Sequence, residues 1–194
     1  MKIVVIGATG TIGGAVAGLL ATGHEVVPAS RRGPVRVDLT DAASIDALFA
    51  AVPDVDAVVC CAASGSLSPL DTPSDADYWR GLDGKLVGQV TLARRAAAHL
   101  RAGGSVTLTS GRFTAPTPGS TLGHLVNAGL EAFVRAAAPE MPRGIRLNAI
   151  SPGWVRETCL ALGMDGTAGI PAADLARAYA DTIEGTAHGH VITP

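Results

Sequence analysis

One stretch near the start of the chain constrains the fold more than any other: Lys2-Ile3-Val4-Val5-Ile6-Gly7-Ala8-Thr9-Gly10-Thr11-Ile12-Gly13-Gly14. Ile3 to Ile6 form an unbroken aliphatic run, the pattern of a strand covered on both faces. Glycines follow at 7, 10 and 13, and an amphipathic segment continues to Ala21, with Gly23 as its stop. The spacing predicts a strand, a tight turn and the start of a helix. Gly7 permits the turn, Gly10 lets backbone amides approach a ligand, and Gly13 lets the helix pack near the strand. Free amides at a helix N-terminus suit a pyrophosphate. A dinucleotide held by Gly7, Thr9, Gly10, Thr11, Ile12 and Gly13 is one reading. A ligand-free glycine turn in an α/β protein is the other.

The rest of the chain repeats the alternation. Residues 25–29, 35–37, 56–61, 105–109 and 145–150 read as strands, with 189–192 as a closing edge strand. Residues 41–51, 78–100, 120–138 and 174–183 read as helices, and 157–170 as loop or weak helix. Alternating strand and helix predicts an α/β fold, a doubly wound parallel sheet of about seven strands in the order 3-2-1-4-5-6-7, in one domain over 1–194. Hydrophobic residues make up 47% and charged residues 16% of the 194, which excludes a disordered chain. A net charge of −2 without a basic stripe argues against nucleic acid. No apolar run approaches the ~20 residues of a membrane span, and the N-terminus lacks the layout of a signal peptide. Cys60, Cys61 and Cys159 have no metal-ligand spacing and read as small buried hydrophobes in a reducing cytoplasm.

The second strand ends at Ser30-Arg31-Arg32, where an acidic residue would favour NAD. Two guanidinium groups suit a 2′-phosphate, so NADP is the expected cofactor and NAD the weaker candidate. The alternative is a pair of solvated loop arginines. Asp38, with Leu39 beside it, is placed to meet an adenine edge, or else caps the next helix, a role open also to Thr40 or Asp41. Cys61, Ala62 and Ala63 open a loop of small residues suited to close passage by a ligand.

With these features stand Asp38-Leu39-Thr40-Asp41, Gly104-Ser105-Val106-Thr107-Leu108-Thr109-Ser110 and Arg146-Leu147-Asn148-Ala149-Ile150-Ser151-Pro152-Gly153. From Met1 to about Arg156 the sequence resembles the short-chain dehydrogenase/reductase family. Its GxxGxxG spacing is that of the extended or atypical branches, and its later motifs are those of the common short branch. The resemblance implies a Tyr and a Lys four residues on for proton transfer, a Ser 13 residues before the Tyr, and a cofactor contact at Pro152 and Gly153. A lysine cation beside a Tyr lowers its pKa, so the phenol exchanges a proton near neutrality.

Ser110 matches the family serine, but Gly123 stands at the Tyr position and Asn127 at the Lys position. The helical Asn expected three residues before a Gly is Lys85, ahead of Gly88. Two functions remain open. One is an oxidoreductase of small carbonyl or alcohol substrates, in which Lys85 and Asn127 exchange roles, Ser110 meets the carbonyl and His124 donates a proton. The other is an NADP(H)-binding protein without turnover, a sensor or structural subunit. Ser110 as a strand end, His124 at the surface and Lys85 as a solvated lysine are the plainer alternatives. Beyond Pro152-Gly153 the lid is short, and the family's Thr aligns with Glu157. Phe113, Trp154, Leu160 and Met164 suggest an apolar wall. The resemblance also implies a homodimer or homotetramer through helices 78–100 and 120–138, whose alanine-rich faces allow close packing.

Overall fold

The computed structural model describes residues 1–62 and 67–194. Seven strands form one parallel sheet: β1 Lys2–Ile6, β2 Glu25–Ser30, β3 Val35–Arg36, β4 Ala57–Cys60, β5 Ser105–Thr109, β6 Arg146–Ile150 and β7 Val191–Ile192. Their order is β3-β2-β1-β4-β5-β6-β7, as the alternation predicts. The helices are α1 Thr11–Leu20, α2 Ala42–Ala51, the one-turn α3 Asp75–Tyr78, α4 Gly88–His99, α5 Thr121–Ala137, α6 Arg156–Ala161 and α7 Ala172–Glu184.

Period-2 alternation explains why β1 is apolar throughout. Val4 and Ile6 face the core under α2, α4 and α5, packed with Ile45, Leu48, Leu92 and Leu130. Ile3 and Val5 face the opposite core, under α1 and α7, with Val16, Leu20, Leu175 and Tyr179. Tyr179 is fully buried, and its hydroxyl bonds Thr109 Oγ1 at 2.6 Å. Of the three alanines ending α4, Ala96 is buried in the first core and Ala98 is exposed.

The expected unbroken helix over 78–100 is not formed. Gly81 adopts a positive φ of 96°, which stops α3. Asp83–Val87 then form a π turn, closed by the Gly88 N–H on Asp83 O, before α4 begins. Gly88 also approaches Leu39: a Cβ on it would lie 2.6 Å from Leu39 O. α7 starts earlier than its periodicity suggests, because Glu157 Oε2 accepts the free Ala172 N–H at 2.9 Å. Residues 157–170, expected as loop or weak helix, include most of α6. No helix among the described residues is long and apolar enough to cross a membrane.

A Cβ on Gly13 would lie 2.2 Å from Gly7 O, backbone against backbone. Gly13→Ala is expected to destabilise by about 3 kcal/mol. Gly18→Ala, on the same helix with nothing within 4 Å, should stabilise by up to ~1 kcal/mol. Urea unfolding of the two variants checks the contrast.

Candidate functional site

A cleft of about 430 Å³ opens at the carboxyl ends of β1, β2 and β4. Gly7, Thr9 and Gly10 form its floor, Ser30, Arg31 and Arg32 one wall, and Asp38, Leu39, Cys61, Ala62 and Gly84 the rest. Gly7 has φ 83°, and a Cβ there would lie 2.7 Å from Ala62 N, so only glycine lets the β4 exit close against the turn. Gly10 differs: a Cβ on it would meet only Gly7 O, at 3.4 Å. The fold therefore tolerates a side chain at 10, whereas a ligand lying on the turn does not.

The ends of the cleft are prepared for an anion. α1 begins at Thr11 with no side-chain cap, and its first bond is Gly14 N–H to Gly10 O. The earlier amides, including those of Thr11 and Ile12, have no intrahelical partner. Ser30 Oγ is buried without a hydrogen-bond partner between the two exposed arginines and the sheet. Asp38 accepts from Thr40 N at 3.0 Å and Thr40 Oγ1 at 2.8 Å; these bonds, then the Arg31 charge, hold its carboxyl below the ordinary range. Asp41, not Asp38, caps α2, accepting from Ala43 N at 2.9 Å.

Beyond the cleft the π turn carries the site onward. Gly84 lines the cleft, and Lys85 follows it. A Cβ on Gly111 would lie 3.3 Å from Asn127 Nδ2, 3.5 Å from Asn127 Oδ1 and 3.6 Å from Lys85 Nζ. The lysine from the π turn and the amide from α5 thus converge on one bare backbone position after β5. Asn127 Oδ1 is buried without a partner. Burial lowers the Lys85 pKa, and no ion pair among the described residues includes it.

Two expected catalytic groups stand differently. Ser110 was expected to meet a carbonyl, but its hydroxyl is buried and donates to Glu131 Oε1 at 2.8 Å, as does that of Ser151. Both serines tie strand ends to α5. His124 is exposed and packs at a tilt against Phe113, ring centroids 4.8 Å apart and planes at 38°. Phe113 lies against Gly123: a Cβ on Gly123 would lie 2.8 Å from its Cε2 and 2.9 Å from its Cζ. The ring fills the space where a side chain at 123 would start. Trp154 meets Phe113 edge-on at 6.4 Å, while Leu160 and Met164 are exposed on and beyond α6.

Pro152 and Gly153 lie outside the cleft lining; Pro152 O accepts the Arg112 N–H at 2.8 Å and joins the loops after β5 and β6. Ala63 lies outside the described residues. Burial pushes the Cys60 thiol up to about 12 and Cys61 higher still, so neither is a thiolate nucleophile. Gln89 and Glu131 carry no expected role in the sequence, and Phe113 is expected there only as part of an apolar wall. No signal in the sequence marks Gln89 or Glu131, because their partners lie on other elements.

Sheet order, glycine turn and cleft define a Rossmann-type α/β protein. The chain belongs to the short-chain dehydrogenase/reductase family of oxidoreductases. The family model described as enoyl-(acyl carrier protein) reductase matches residues 11–183. The solved structure of the protein lin1944 from Listeria innocua is 36% identical, with a TM-score of 0.93 over 100% of this chain and 98% of that one. A small-chain dehydrogenase solved in complex with NADPH is 27% identical, with a TM-score of 0.86 over 100% and 96%. Enoyl-(acyl-carrier-protein) reductase (NADH) 1 of Rhizobium meliloti is 35% identical over 61% of this chain and 47% of its own. The chain spans under half the length of the curated relatives it matches.

Lys85 places a cation in a partly buried position without a counter-charge among the described residues. Lys85→Met should therefore raise stability near neutral pH by about 1 kcal/mol. A depressed folded pKa means that the native chain bears this cost fully below that pKa. The cost fades as pH rises towards the ordinary lysine value of about 10. Thermal unfolding of both proteins across that window should show the gap narrowing as pH rises.

Proposed function

We propose that the chain is an NADP(H)-dependent oxidoreductase of small carbonyl or alcohol substrates in which Lys85, backed by Asn127, takes over the proton chemistry of the absent Tyr-Lys pair. The observation that carries this reading is the convergence of Lys85 Nζ and the Asn127 amide on Gly111, next to the cleft that Gly84 lines. The cofactor would be held by the turn Gly7, Thr9 and Gly10, the α1 amides, Ser30, Arg31, Arg32, Asp38, Leu39 and Ala62. When bound, the nicotinamide supplies the hydride. The Lys85 ammonium donates to the substrate oxygen and stabilises the charge that grows there. Its lowered pKa brings proton release closer to neutrality than an exposed lysine allows. Asn127 Oδ1 offers an acceptor that steadies the ammonium or the substrate hydroxyl. Ser110 serves structure here, and His124 lies at the rim.

NADP is preferred on the chemistry of Ser30-Arg31-Arg32, where the unpartnered hydroxyl and two guanidinium groups suit a 2′-phosphate. The NADPH complex of the small-chain dehydrogenase supports this choice, whereas the Rhizobium meliloti enoyl reductase is named for NADH. We place the chain in the cytoplasm, where its three free cysteines stay reduced. A homodimer or homotetramer through α4 and α5 is supported by Val87 and Leu125, both exposed.

A second reading, NADP(H) binding without turnover, is favoured by the Phe113 ring against Gly123 and by the Ser110–Glu131 bond. Titration with NADPH and NADH, read by nicotinamide fluorescence, followed by oxidation assays on carbonyl and conjugated enoyl substrates, separates the two. Binding with oxidation of at least one substrate supports the oxidoreductase; binding without any supports the second reading. Absence of binding overturns both.

Gly10→Ala should leave the melting temperature in place and weaken NADPH binding by about tenfold or more, some 1.4 kcal/mol. Arg31→Ala/Arg32→Ala should erase the preference for NADPH over NADH. Lys85→Ala should lower kcat by about 10²–10⁴-fold, the usual worth of a general acid. Gly123→Tyr/Asn127→Lys should restore nothing until Phe113 is also cut to Ala.

A further inference from the structure

Gln89 is fully buried on α4, a helix whose other inward residues are Leu92, Ala93 and Ala96. Its Nε2 donates to Lys85 O and to Thr109 O, both at 2.9 Å, and its Oε1 accepts the Thr109 N–H at 2.9 Å. One side chain therefore satisfies both backbone groups of the last β5 residue and a carbonyl of the π turn. Thr109 leads through Ser110 to Gly111, the position that Lys85 Nζ faces. Gly88, one residue before Gln89, is packed against Leu39 O at the nucleotide cleft. The clamp thus lies at the junction of the cleft and the Lys85–Asn127 cluster.

We propose that Gln89 is a positioning residue that sets the register of the π turn against β5 and so holds Lys85 at Gly111. This rests on the reading of Lys85 as the proton donor. An apolar side chain of the same length would pack in the same space yet leave the π turn free to return to α-helical spacing. That change rotates Lys85 by roughly 100° about the helix axis, away from Asn127. The cleft walls at the ends of β1, β2 and β4 make no contact with Gln89 through these bonds, and of the cleft lining only Gly84, at its edge on the π turn, would move with it.

Lys2 and Lys85 are the only lysines in the sequence, which gives a direct readout. Reductive methylation with ¹³C-formaldehyde labels both and the N-terminus, and NMR resolves the methyl signals in the free protein. The proposal expects the Lys85 signal of Gln89→Met to move to the position it takes in the urea-unfolded protein, that of a solvated lysine, with NADPH affinity within about threefold of native. It also expects kcat to fall about 10²-fold, with KM little changed. In Lys85→Ala, adding Gln89→Met should cost no further rate. An unmoved Lys85 signal in a folded Gln89→Met protein overturns the proposal, as does a rate loss that multiplies with that of Lys85→Ala. If Gln89→Met does not fold, Gln89→Glu, which keeps an acceptor for Thr109 N–H and loses both amide donors, is read by the same signal. A moved signal with a native rate leaves Gln89 as the clamp and overturns Lys85 as the donor, so the two failures are distinct.

Discussion

The contact on which the rest depends is backbone against backbone, at the turn between β1 and α1. Gly13 comes so near Gly7 O that no Cβ fits between them, and Gly7 comes almost as near Ala62 N. Three segments therefore meet without side chains: the end of β1, the start of α1 and the exit from β4. Their meeting lies where the sheet order reverses, since β1 sits between β2 and β4 and the connections leave on opposite faces. A crevice at that point is a consequence of topology, and the glycines determine how deep it is. Gly10 needs no such freedom for packing, so its bareness points to a ligand rather than to the fold.

The same device is used again at the far end of the site, with different fillings. Gly111 leaves a space that Lys85 and Asn127 enter, and Gly123 leaves one that Phe113 enters. An aromatic ring from the β5–α5 loop thus lies against Gly123. Lys85 on the π turn and Asn127 on α5 reach the same bare position at Gly111 from two sides. Among the described residues the Lys85 cation has no acid partner and the Asn127 amide oxygen no donor, both of which a substrate or cofactor group could satisfy.

Much of this was legible in the residues. Aliphatic runs and glycine stops located all seven strands and their order, because a parallel sheet must bury both faces. The turn glycines and Ser30-Arg31-Arg32 marked the walls of the cleft, since strand ends carry their residues to one edge. The break in the helix at Gly81 was not legible, because Gly81, Gly84 and Gly88 look alike in sequence and only tertiary contacts decide which one bends. Ser110 aligned with a catalytic serine, yet its rotamer is decided by Glu131, 21 residues away. Gln89 carries no mark in the sequence, because its partners belong to another strand and to a turn that periodicity does not reveal. Phe113 was foreseen as a wall but not as the group that fills the place of the tyrosine, which depends on how the loop folds over α5.

The central claim is that the substrate oxygen is met by Lys85. A crystal structure of the chain with NADPH and an unreactive alcohol analogue tests it most directly. The account predicts the alcohol oxygen within hydrogen-bond distance of Lys85 Nζ, with the Asn127 amide beside it and Ser110 still bonded to Glu131. An oxygen held by His124 or by a freed Ser110, with Lys85 facing only protein, would contradict it.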